Sequence, residues 1–165
     1  MNKELKVVKL GLALVLLGLV FGVGLGISFG INEDMYKDFI AEGIAANPEV
    51  HDAKSKDKIW RYAQRAHFHA TGIAAFSLGL VILVMFSGMK ARVKAVSSVL
   101  IGLGSFYPLS WFTMFLLAPS IGRDPAHQYF LTEIFTYVGV GGLLTGAILL
   151  FSSLFLGMFA EDRNS

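Results

Sequence analysis

Residues 66–89 read AHFHATGIAAFSLGLVILVMFSGM, and this stretch decides the fold. It contains no Asp, Glu, Lys or Arg. A helix needs about 20 predominantly apolar residues to cross the hydrocarbon core of a bilayer. The stretch therefore predicts a membrane-spanning helix, with two histidines at its amino-terminal edge.

Three further stretches share this pattern, namely residues 10–31, 95–122 and 134–160. The whole chain is 55% hydrophobic. Alternation over ten-residue units, typical of membrane barrels, is absent, and only helices satisfy their own backbone groups in lipid. We therefore predict an all-α integral membrane protein, a four-helix bundle forming a single domain over residues 1–165. The helices are expected at about 8–31, 58–89, 94–118 and 126–160.

The long loop of residues 32–57 contains a predicted helix of its own. Asn32 is a plausible N-cap with acidic residues directly after it, and Asn47-Pro48 ends the segment. Between them, apolar residues recur at helical spacing: Met35, Phe39, Ile40 and Ile44. This spacing predicts a short amphipathic helix at the outer surface of the membrane.

The placement of basic residues predicts the orientation in the membrane. They flank the first helix, fill the short second loop and follow the fourth helix: Lys3, Lys6, Lys9, Lys90, Arg92, Lys94 and Arg163. Short loops rich in Lys and Arg remain in the cytoplasm. We therefore expect a multi-pass protein of the bacterial inner (cytoplasmic) membrane with both termini cytoplasmic. Its expected partners are the lipid bilayer and other membrane proteins or further copies of itself, and no nucleic acid.

Glycines recur at every fourth position of the first predicted helix, and a similar pair occurs in the fourth: Gly18, Gly22, Gly26 and Gly30, then Gly142 and Gly146. Residues four apart share one helix face. Small residues at this spacing let membrane helices approach closely. We expect helix packing here, and a groove for a flat ligand such as a macrocycle or a quinone is the alternative.

Polar residues from three predicted helices fall at a similar depth near the outer leaflet: His67, His69, His127, Glu133 and the softer Met114. Residues two apart in sequence differ by about 200° around a helix. His67 and His69 therefore point to opposite sides and cannot chelate one small metal ion. His51 lies in the polar loop and is expected to be solvated. The chain has no cysteine, which excludes disulfides and covalent c-type haem attachment.

The run Ala66-His67-Phe68-His69, followed by Gly72, resembles the haem-ligand helix of haem–copper oxidase catalytic subunits. The glycine comes one residue earlier here than in that family, and the resemblance covers roughly eight residues. The chain lacks the copper ligands and the dozen helices of that family, so it cannot be an oxidase alone. As a whole it also looks like small uncharacterised bacterial four-helix membrane proteins with His-x-His at the start of helix two.

The resemblance implies that His67 and His69 are axial ligands of haem iron. A low-spin haem takes a second axial ligand, usually His or Met. His127 and Met114 are the candidates for that place. Guanidinium groups suit the haem propionates, and the candidates are Arg61, Arg65 and Arg123. Glu133 and Tyr137 are four residues apart and are candidates for a proton relay or a quinone-headgroup site.

Two functions stay open at this point. The first is a membrane redox component that binds a b-type haem (haem b), or a quinol, near the outer leaflet within a larger respiratory assembly. The alternative is a non-catalytic membrane scaffold or accessory subunit with no cofactor. The sequence leaves open whether the protein is an enzyme.

Overall fold

A computed structural model describes residues 3–161, and within them the chain forms helices and no β-strand. The α-helices are α1 (Lys3–Ala46), α2 (Ser55–Phe86), α3 (Ala91–Gly102), α4 (Tyr107–Ile121), α5 (Arg123–His127) and α6 (Phe130–Leu156). Short 3-10 turns lie at Pro48–Val50 and Leu103–Phe106.

In the described part of the chain, four helical segments are long and apolar enough to cross a membrane, which confirms the predicted number of long apolar helices. They are α1, α2, the continuous run Ala91–Ile121 that includes α3 and α4, and α6. The shortest has 27 residues. At about 1.5 Å per residue it is about 40 Å long, which exceeds the ~30 Å hydrocarbon core of a bilayer.

Helix α1 contacts α2 and α3, α2 contacts α4, and α6 contacts both α3 and α4. Two buried clusters hold these contacts. One lies towards the chain termini and includes Val8, Val84 and Ile101. The other lies at the opposite end, near α5, and we call that end the α5 end. It includes Ile40 of α1 and Ile59 of α2, and it holds together the helices that carry the site described below.

Helix α1 breaks at Asn32, whose backbone angles are φ −152° and ψ 74°. Its side-chain Oδ1 accepts the backbone N–H of Met35 at 3.1 Å, so Asn32 caps the helical segment that follows. That segment, residues 33–46, buries Ile40 completely while Phe39 stays 40% exposed. The segment therefore packs the side that carries Ile40 on α2 and α4.

Two glycines of α1 allow α2 to approach at van der Waals distance. A Cβ on Gly22 would lie 2.8 Å from the backbone nitrogen of Thr71, and one on Gly26 would lie 2.5 Å from Cε1 of His67. Gly18, Gly142 and Gly146 have similarly close neighbours. Gly30 is exposed, and no described atom lies within 4 Å of a Cβ built on it.

Candidate functional site

One face of α2 carries a row of polar side chains towards the α5 end. Lys58, Tyr62, Arg65 and His69 are spaced by three or four residues and therefore share one side of the helix. Lys58, Arg61, Tyr62 and Arg65 line a cleft of about 260 Å³ together with Arg123 of α5. We call this group of five residues the cationic cleft.

Positive charge dominates the cationic cleft. Four of its five lining residues are Lys or Arg. Within the described residues, the one carboxylate paired with them is Asp52, whose Oδ2 lies 3.2 Å from Nη2 of Arg123. Within residues 3–161, no ion pair joins Lys58, Arg61 or Arg65 to an acid.

Asp52 is held by several donors. The Ser55 hydroxyl donates to Oδ1 at 2.8 Å, and the backbone N–H of Lys54 donates to the same oxygen at 3.0 Å. The pKa of Asp52 is lowered, first by the Ser55 hydrogen bond, then by the Lys54 N–H and the positive charges of Arg123 and Lys58. Asp52 therefore stays ionised and anchors Arg123 at the rim of the cleft.

The adjacent His51 ties the same loop to α4. Its Nε2 donates to the Pro119 carbonyl oxygen at 2.9 Å, and its Nδ1 is buried with no hydrogen-bond partner among the described residues. The expectation that His51 is solvated is therefore wrong, because α4 ends beside the loop and offers an acceptor that the sequence does not reveal.

Aromatic rings form the wall behind the cationic cleft. The Arg65 guanidinium lies 4.7 Å from the ring centroid of Trp111, and the Tyr62 ring lies 5.8 Å from the same ring. His69 continues the row and contacts Trp111 at 5.7 Å and Tyr107 at 5.2 Å between centroids. The indole Nε1 of Trp111 is buried and has no acceptor within residues 3–161.

His67 lies on the other side of α2. Its Nδ1 is 2.8 Å from the Gly22 carbonyl oxygen of α1. A carbonyl oxygen only accepts, so Nδ1 carries the hydrogen, and in the neutral ring the lone pair is on Nε2. A backbone carbonyl on one ring nitrogen leaves the other suited to bind a metal. His67 faces α1 and His69 faces α4, which confirms that the two rings point to opposite sides.

The structure brings some of the predicted site residues together and not others. Arg61, Arg65 and Arg123, predicted as propionate partners, share the cationic cleft. The three histidines do not gather around it: His67 and His69 have the contacts given above, and His127 is exposed at the end of α5.

The remaining candidates lie outside the cationic cleft as well. Met114 is 2% exposed, Tyr137 is 71% exposed, and Glu133 is also exposed. No group of three or more His, Asp or Glu residues within residues 3–161 could hold a metal ion.

The sequence interpretation missed two lining residues, Lys58 and Tyr62. A usable signal was present, because positions 58, 61, 62, 65 and 69 recur at helical spacing. The interpretation instead followed His67 and His69, whose spacing of two residues separates them. The contribution of Trp111 had no such signal, since it depends on how α4 packs on α2.

Comparison with known proteins gives no relative from which a role can be carried over. No protein family, curated protein or solved structure matches the chain. The local resemblance of residues 66–72 to the oxidase helix stays a prediction. The geometry of the cationic cleft is therefore the basis for the proposals below.

Proposed function

We propose that this chain is a four-helix membrane bundle of the bacterial inner membrane, with cytoplasmic termini, whose outer end binds an anionic ligand in the cationic cleft. One observation carries the proposal. Four cationic side chains line one cleft, and a single carboxylate of residues 3–161, that of Asp52, forms an ion pair with one of them. The α5 end is the outer end in this arrangement, because the short basic loops lie at the other end.

Like charges that lie close together at the edge of an apolar medium repel one another, so their proximity has to be explained. Two unit charges 4 Å apart interact by about 1 kcal/mol in bulk water and by about 4 kcal/mol near a protein surface. Residues 66–86 of α2 are free of charge, so the cationic cleft lies directly beside the apolar part of the helix. A bound anion would relieve the mutual repulsion of Lys58, Arg61 and Arg65, none of which forms an ion pair with an acid within the described residues.

The aromatic wall supports this role. Arg65 rests on the face of Trp111, which restrains the guanidinium by a cation–π contact. The guanidinium carries five N–H donors, and those that do not face the ring remain available. The arrangement therefore presents a preorganised fork to carboxylate or phosphate oxygens.

The second candidate is a redox component that binds haem b or a quinol within a larger respiratory assembly. His69 favours it, because it lies one helical turn from Arg65 and makes no hydrogen bond within residues 3–161. The propionates of a haem would then lie against Arg61, Arg65 and Arg123. Tyr107 and Trp111 contact the His69 ring directly, so a macrocycle would have to displace one of them, and haem therefore ranks second.

A ligand titration tests the proposal. We would add succinate or inorganic phosphate to detergent-solubilised protein and follow its thermal unfolding. A ligand at 100 times its Kd stabilises the folded state by about 2.7 kcal/mol. We expect at least one of the two anions to stabilise the wild type.

The matched variants are Arg61→Gln/Arg65→Gln inside the cationic cleft and Lys56→Gln outside it. Lys56 lies on the same helix, is exposed and does not line the cleft. Stabilisation that is lost in the double variant and kept in Lys56→Gln supports the proposal. Equal stabilisation of all three proteins, or of none, contradicts it.

An absorption spectrum decides the second candidate. Protein purified from haem-replete cells should show a sharp reduced-minus-oxidised α band that His69→Ala abolishes. A colourless protein removes haem, and a purified protein without bound quinone removes the redox role. An accessory subunit whose cleft binds a non-redox anion would then remain.

A further inference from the structure

Resting on the anion site proposed above, we infer that the group bound in the cationic cleft is a phosphate, supplied by the headgroup of an anionic lipid in the outer leaflet. The depth of the cationic cleft, the geometry of its donors, its size and its charge each favour a lipid phosphate. Carboxylate ligands are the competing chemistry, and soluble phosphate is the competing source.

The depth of the cleft matches the headgroup layer. Lys58 and Arg65 are seven residues apart along α2, which is about 10 Å at 1.5 Å per residue. The polar region of a bilayer is about 5–8 Å thick on each side of the hydrocarbon core. Arg65 is the last charged residue before the charge-free run of α2. The cleft therefore spans the level at which lipid phosphates lie.

The donors suit a phosphate. Arg61, Arg65 and Arg123 bring three guanidinium forks to one cleft, and each can donate two parallel hydrogen bonds to a phosphate. Tyr62 and Trp111 lie beside these forks, and such amphipathic rings are enriched at the membrane interface. Arginine stacked on an aromatic ring and facing lipid headgroups is thus a consistent arrangement for binding a phosphodiester.

The size and charge of the cleft narrow the class of lipid. Its volume of about 260 Å³ is below the ~300–1,000 Å³ typical of sites that enclose whole small molecules, and it suits a headgroup whose acyl chains remain outside. The four cationic groups carry more positive charge than the carboxylate of Asp52 neutralises. The ammonium of a zwitterionic headgroup would be repelled there, whereas phosphatidylglycerol has no such group.

Native mass spectrometry of the delipidated protein in a non-ionic detergent tests this inference. The protein would be titrated with phosphatidylglycerol and, separately, with phosphatidylcholine of the same acyl chains. We expect at least a tenfold preference for one bound phosphatidylglycerol. We expect this preference to be lost in Arg61→Gln/Arg65→Gln and kept in Lys56→Gln.

Circular dichroism would confirm that each variant keeps its helix content. If the double variant does not fold, Lys58→Gln alone replaces it and should reduce the preference at least threefold. Retention of the full preference in a folded cleft variant overturns the inference.

Two further titrations, with inorganic phosphate and with succinate, distinguish a lipid phosphate from a soluble anion. Inorganic phosphate that competes with phosphatidylglycerol supports a phosphate site filled by lipid. Phosphate binding without any phosphatidylglycerol preference overturns the lipid source. Binding of succinate alone overturns the phosphate inference and leaves the anion site in place, whereas failure of every anion overturns both.

Discussion

The contact between Gly26 and His67 gives the sharpest test of how α1 and α2 pack. In Gly26→Ala the new Cβ would lie 2.5 Å from Cε1 of His67, well inside van der Waals contact. The His67 ring would have to move, although its Nδ1 donates to the Gly22 carbonyl at 2.8 Å and the ring makes a T-shaped contact with Phe29. The substitution therefore opposes both the packing and the hydrogen bond.

Gly24→Ala is the matched control, because no described atom lies within 4 Å of a Cβ at Gly24. Both substitutions gain the same helix propensity, about 1 kcal/mol in water. Overpacking typically costs about 1–3 kcal/mol. Loss of a hydrogen bond adds about 0.5–1.5 kcal/mol. We therefore expect Gly26→Ala to be less stable than Gly24→Ala by about 2–4 kcal/mol.

Unfolding by sodium dodecyl sulfate in mixed micelles, followed by circular dichroism, measures this difference. In a His67→Ala background the ring is absent, so the difference between the two glycine variants should fall below about 1 kcal/mol by the logic of a double-mutant cycle. If Gly26→Ala and Gly24→Ala are equally stable in the wild-type background, the packing described for His67 is incorrect.

Three further predictions concern the loop and the two ends of the molecule. The pKa of Asp52 is lowered in the folded state, so the carboxylate stabilises the fold above its unfolded pKa of about 3.9 and this stabilisation is lost as the pH falls through the folded value. The stability difference between wild type and Asp52→Asn, measured by thermal unfolding from pH 7 to pH 3, should therefore shrink towards acid; a difference that grows contradicts the assignment. Asn32→Ala removes the cap on Met35 and should cost about 0.5–2 kcal/mol in chemical unfolding, and an unchanged stability would mean that the break in α1 needs no cap. Lys94 is 8% exposed and donates to Glu4, so Glu4→Gln, which leaves the ammonium buried, should cost more than Lys94→Met; the reverse order would show that the charge is not buried.

Hydropathy was sufficient to predict the four long helices, because a charge-free apolar run of 20 or more residues has few structures open to it other than a membrane-spanning helix. It was not sufficient for their ends. Helix α2 begins at Ser55 and α1 continues past the break at Asn32 to Ala46, since helical hydrogen bonds persist where polar side chains replace apolar ones. The packing side of residues 33–46 depends on Ile40, which meets α2 and α4 in a cluster that only the folded chain defines.

The candidate site was predictable where it depends on spacing within one helix. A separation of two residues was enough to place His67 and His69 on opposite sides of α2. His127, by contrast, contacts neither of them, although the sequence predicts a similar depth in the membrane for all three. Depth alone does not determine the rotation of a helix or the direction of a loop. The rotation of α2 depends on Gly26, which makes room for His67, and on Gly22, which makes room for Thr71. It also depends on Trp111, which contacts Arg65 and His69.

The central claim is that the cationic cleft holds an anion. An experimental density map of the protein in lipid nanodiscs containing phosphatidylglycerol tests this claim most directly. The account predicts density within hydrogen-bond distance of the Arg61, Arg65 and Arg123 guanidinium groups, with Arg65 still stacked on Trp111. Guanidinium groups that point apart into solvent, with no density between them, would contradict it.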